Sequence, residues 1–154
     1  MKRISRLTAG LVFSFAALAG SVTLTTDPLT NLPLDPATDS RLHLGNAPRR
    51  LPASQVCKSK MQSDLYSLFD VKMSATLAWY GTRLSGFHRT HAYAAGRSQD
   101  TFYNADGTLI VSVVGEPGKD GEDKDGSTVI YARLQPGLSE KTILGMNQQK
   151  IVCN

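Results

Sequence analysis

Thr101-Phe102-Tyr103-Asn104-Ala105-Asp106-Gly107-Thr108-Leu109-Ile110-Val111-Ser112-Val113-Val114 holds two β-prone runs around a turn signal. Aromatic and β-branched residues favour extended backbone on both sides. Between them, Gly107 suits the positive φ of a type I turn followed by a bulge. The pattern predicts a hairpin. Its second arm, residues 109–114, is the most apolar run beyond the N-terminal leader, and so predicts a central strand.

Working towards the N-terminus, residues 87–93 read as a strand, joined to the hairpin by a polar turn around Arg97-Ser98-Gln99-Asp100. Before it, Met73, Leu77, Tyr80 and Leu84 recur at helical spacing, with Ala75, Ala78 and Trp79 widening the face. Asp70 offers an N-cap and Gly86 a left-handed terminator, so a main helix is expected over about 71–84. Residues 56–61 and 65–69 are short strand candidates. On the other side, residues 128–134 form a further strand, Pro136-Gly137 turns the chain, and Ser139 caps a short helix over about 139–148. The expected fold is α+β: an antiparallel sheet of about four to five strands, packed by the main helix and the short C-terminal one.

A short strand, an acidic cap, a helix carrying Trp79-Tyr80, then Leu84-Ser85-Gly86-Phe87, an Asp106-Gly107 turn and a Val-rich strand follow in order. Over residues 56–134 this succession resembles small exported bacterial domains of unknown function. The resemblance implies an α+β fold and brings no activity, cofactor or binding residues with it.

The N-terminus gives the chain an address. Lys2, Arg3 and Arg6 precede a twelve-residue apolar run, 7–18, and Ala17-Leu18-Ala19 has the form that signal peptidase accepts. Residues 1–19 are therefore expected to be a signal peptide, too short for a comfortable membrane span. Ser21 stands where a lipid-bearing cysteine would be needed after Leu18-Ala19-Gly20, so no lipid anchor is expected and no stable membrane insertion after cleavage. The formal charge of +4 comes from 17 cations and 13 anions. Losing the three leader cations leaves the working chain almost neutral, which argues against nucleic acid as a partner.

Five of the seven prolines fall at Pro28, Pro33, Pro36, Pro48 and Pro52. Each removes a backbone donor and restricts its predecessor, so residues 20–53 are expected to be a Pro-rich disordered linker. Residues 54–154 are then one α+β domain. Cys57 and Cys153 bracket it, and in an exported protein a lone pair reads most simply as a structural disulfide.

Chemistry is sparse. His43, His88 and His91 are the only histidines, and residues three apart in a strand point to opposite faces, so His88 and His91 do not chelate one ion. No metal and no cofactor are expected. No Gly-x-Ser-x-Gly elbow occurs. Residues 115–123 are glycine-rich and acidic, but Lys124 and Tyr131 occupy positions where a calcium loop beginning at Asp120 needs oxygen ligands. The recognition candidates are Arg97 and Asp100 with Tyr93 and Tyr103 beside them, and His88 and His91 nearby; Arg and Tyr suit paired hydrogen bonds and rigid contact area. These features favour an exported, non-catalytic binding module, periplasmic or secreted, for a protein or small-molecule ligand. The alternatives are a small hydrolase or lyase using His88 or His91 with Asp100, and a calcium-responsive adhesion-type domain.

Overall fold

The structure is a computed structural model that describes residues 24–43, 60–94, 96–115 and 124–147. The expected signal peptide, the cysteine pair Cys57–Cys153 and the acidic run 116–123 lie outside the described residues. Six strands and two helices follow in order: β1 (Ser40–His43), β2 (Lys60–Lys72), α1 (Met73–Arg83), β3 (His88–Ala94), β4 (Arg97–Tyr103), β5 (Leu109–Gly115), β6 (Asp125–Gln135) and α2 (Glu140–Asn147). The strands form one antiparallel sheet in the order β1-β2-β6-β5-β4-β3.

This corrects the expected architecture of four to five strands on one main helix. The sheet is the bulk of the described fold, and its helices have only 11 and 8 residues. Two features account for the difference. The two short candidates at 56–61 and 65–69 give way to one strand, β2, with Asp64, Tyr66 and Leu68 buried at alternate positions. A carboxylate at an inward position hides that period from a hydropathy reading; a buried carboxylate needs a partner, and Arg41 pairs with Asp64 at 2.8 Å. The sixth strand, β1, comes from the segment expected to be linker.

Over residues 24–43 that segment is folded, not a free tether. Pro28 and Pro36 sit in turns, and Pro33 sits in a bridge. Asp27 accepts from the Thr30 amide at 2.7 Å, Asn31 takes the left-handed conformation, and a bridge joins Thr26 to Pro33. Asp35 closes a second turn by accepting from the Ala37 amide at 2.9 Å. Leu34 is buried in the core, and β1 pairs with the middle of β2. Proline excludes helix and inner ladder, yet it serves turns well.

Side chains alternate across the sheet. One face carries Tyr66, Leu68, Phe102, Val111, Val113, Val129 and Tyr131, covered by Met73 and Tyr80 of α1, by Leu84 just after it and by Leu34. The other carries Tyr103, Ile110, Ala132 and Leu134 beneath Leu138 and Ile143 beside and within α2. Helix α1 begins at Met73, and Asp70 remains in β2 without capping it; Lys72 is the N-cap and makes no side-chain cap bond. Thr76 is buried on the apolar face, whereas Ala75 and Ala78 are exposed. Helix α1 stops at Leu84, whose amide donates to the Tyr80 carbonyl at 2.8 Å, and Gly86 has no positive φ. Gly107 has φ +65°, as a turn-and-bulge hairpin requires, and a Cβ there would strike the Leu138 carbonyl. The hairpin tip is thereby locked under the approach to α2, where Ser139 Oγ accepts from the Thr142 amide at 3.3 Å.

Candidate functional site

Arg97 to Asp100 are strand residues of β4, not a polar turn. In a strand, positions 97 and 100 face opposite ways, so the expected neighbours separate. The six recognition candidates fall into three places.

Asp100 lies on the α1 side of the sheet, directly across from His91 on β3. Its carboxylate is 2% exposed and holds two partners. Oδ1 accepts from Arg89 Nε at 2.9 Å and Nη2 at 2.8 Å; Oδ2 lies 3.0 Å from His91 Nδ1. A carboxylate only accepts, so Nδ1 carries the proton and Nε2 is turned from the acid. Arg89 also stands over the Phe102 ring, 5.4 Å from its centroid. Tyr93 continues the stripe at the same two-residue spacing and is 65% exposed. Arg89 was not legible as a site residue before the register was known. The signal that could have found it is its two-residue step from His91 on a strand crossing Asp100.

His88 and Tyr103 occupy the other face. Their rings stack with centroids 5.3 Å apart, and the buried Tyr103 hydroxyl donates to Glu140 Oε1 of α2 at 2.9 Å. Burial, with Glu140 beside it, holds the Tyr103 phenol above its ordinary value. This pair fastens the second core.

Arg97 lines a cleft of about 510 Å³ with Ser67, Phe69, Val114, Lys124, Ser127 and Thr128. The cleft lies where the C-terminal halves of β2 and β5 meet the starts of β4 and β6. Asp125 is its described carboxylate, and Lys72 already holds it at 3.0 Å. Among the described residues Arg97 and Lys124 have no carboxylate partner. Ser127 Oγ is buried there without a hydrogen-bond partner.

A further polar group was invisible in the sequence. Tyr66, Tyr80 and Tyr131 meet at the centre of the α1 face, with ring centroids 5.4 Å apart for Tyr66–Tyr131 and 6.1 Å for Tyr80–Tyr131. The Tyr131 hydroxyl contacts the Pro33 carbonyl at 2.6 Å and the Tyr80 hydroxyl at 2.8 Å. The carbonyl can only accept, so Tyr131 spends its proton there and the bond between the phenols uses the proton of Tyr80. Burial pushes the Tyr80 phenol up to about 12 and the phenols of Tyr66 and Tyr131 further still.

Among the described residues no three His, Cys, Asp or Glu side chains gather as a metal site, and no helix is long and apolar enough to cross a membrane. Compared with known proteins, the chain matches no family model, no curated relative and no solved structure.

Proposed function

We propose that this chain is an exported, non-catalytic binding module that takes a small anionic ligand in the Arg97 cleft. One observation carries this reading: Arg97 and Lys124 line the same open cleft with no carboxylate partner among the described residues. An arginine fork and a lysine point charge suit a carboxylate or phosphate group, and the nearby Ser and Thr hydroxyls can add hydrogen bonds. The two cations and the hydroxyls that line the cleft support capture as its chemistry. Export rests on the N-terminal Lys-Arg, apolar run and Ala17-Leu18-Ala19.

Titration of the labelled protein with inorganic phosphate and with citrate tests the site. Saturable amide shifts at Gly115, Gly126 and Ser127, lost in Arg97→Ala and in Lys124→Ala, are the expected result. Shifts that persist in both variants would overturn it. Mass spectrometry of the protein from the cell envelope tests export, with cleavage after Ala19 expected.

The hydrolase or lyase reading gains the 3.0 Å contact between His91 and Asp100. Two facts weigh against it. Arg89 compensates the carboxylate that would steer the imidazole, and Asp100 is the hydrogen-bond partner of His91 among the described residues, leaving no hydroxyl placed for activation. An activity lost in His91→Ala would favour it over capture.

A further inference from the structure

Strand β3 ends the sheet, and among the described residues β4 is its neighbour there, so half of its backbone groups face an open edge. The neighbouring hairpin says which half. Asn104 stands opposite Leu109 and donates its amide to the Leu109 carbonyl at 3.2 Å. Backbone direction alternates along a strand, so the even-numbered residues of β4 address β5 and the odd-numbered ones address β3. Across the register, His88, Thr90, Ala92 and Ala94 receive them. The amides and carbonyls of Arg89, His91 and Tyr93 therefore point to the open edge.

Charge commonly guards such an edge against another strand. Here the two basic side chains on the α1 face lean away from it. Arg89 and His91 both bond the Asp100 carboxylate of β4, and the Arg89 guanidinium stands over Phe102 of the same strand. The Tyr93 ring completes the stripe and is 65% exposed. On the opposite face the middle of the strand carries only the small side chains of Thr90 and Ala92.

We propose that β3 is the docking edge for a second copy of this chain, paired antiparallel about a two-fold axis through His91. This register opposes all seven residues of the strand and keeps each face of the sheet continuous. The outward groups then exchange two hydrogen bonds at each of three pairs: Arg89 with Tyr93 of the second copy, His91 with its equivalent, and Tyr93 with the other Arg89. The ring of one copy comes beside the guanidinium of the other, a cation–π contact made twice. That self-complementarity is what selects a second copy: ring and guanidinium lie on one strand at equal distances from His91, so a single sequence supplies both sides. Pairing β3 with β3 uses the same edge of both copies, and the assembly closes at two.

Sedimentation of the full chain from micromolar to millimolar concentration, with residue-resolved amide exchange at both ends of the range, tests this. A monomer–dimer equilibrium is expected. The amides of Arg89, His91 and Tyr93 should exchange freely in the monomer and become protected in the dimer, while those of Thr90 and Ala92 are protected in both. Tyr93→Pro removes an outward donor and leaves the bonds to β4 in place, so the variant should fold and dimerise about tenfold more weakly or worse. A chain that stays monomeric throughout overturns the proposal whether or not the variant folds, and leaves the edge to a strand of another protein. A dimer whose three outward amides still exchange freely overturns it, because the copies then meet elsewhere. Protection of the three amides in the monomer overturns it too, since the chain then covers its own edge.

Discussion

Replacing Asp100 by Asn separates a positioning carboxylate from a catalytic one. The side chain keeps its shape, loses its charge and stays on a strand position whose neighbours are Val113 and His91. Three contacts change: two from Arg89 to Oδ1 and one from His91 to Oδ2. A hydrogen bond to a charged group contributes about 1.5–3 kcal/mol when both partners are buried. Here only the acid is buried; Arg89 and His91 are 48% and 59% exposed, so solvent screens their side of each contact. The expected loss is therefore about 2 kcal/mol for Asp100→Asn, not a multiple of the single-bond figure. Urea unfolding followed by fluorescence of Trp79 measures it, with an unchanged denaturant slope marking a native-state effect. Arg89→Ala alone should cost less, about 1 kcal/mol, and the double variant should fall short of the sum by about 1 kcal/mol. A loss under about 0.5 kcal/mol for Asp100→Asn would refute the reasoning, because the edge strand would then be held without its buried anchor.

Three further outcomes follow from the same geometry. Gly107→Ala should cost more than about 2 kcal/mol in urea unfolding, because φ is +65° and the new Cβ would meet the Leu138 carbonyl. Tyr131→Phe should cost about 1–3 kcal/mol, leaving the Pro33 carbonyl and the Tyr80 hydroxyl short of a partner; matched urea curves for the two phenylalanine variants at 80 and 131 check it. Alkali should unfold the protein: the Tyr80 phenol is raised from 10.0 to about 12, so its contribution is complete below the first value and lost as pH climbs to the second. Ultraviolet titration should show buried phenols ionising only together with loss of the near-ultraviolet dichroism.

The hairpin was legible because every signal there is local. Gly107 supplies a backbone state that few other residues accept, and the run 109–114 has one energetic outcome, a buried strand. Helix α1 was legible in extent for the same reason, since Met73, Tyr80 and Leu84 share a face whatever covers it. The candidate site was half legible. The two-residue period placed His88 and His91 on opposite faces, and the same rule separates Arg97 from Asp100 once both are known to lie in β4. Residues 97–100 are polar, so hydropathy gave no sign that they formed a strand.

What the sequence by itself determined is what adjacent residues decide: the turn at Gly107, the apolar strand and the helical face. The tertiary structure alone decided which charges could be buried. Asp64 and Asp100 enter the same face because Arg41 and Arg89 reach them from β1 and β3, at opposite edges of the sheet. The proline-rich segment folds because Tyr66 and Tyr131 receive Asp27 and the Pro33 carbonyl across 39 and 98 positions of chain. Hydropathy assigns a cost to each such group alone, whereas a buried polar group is stable only with its partner, and the partner is fixed by the register of the sheet.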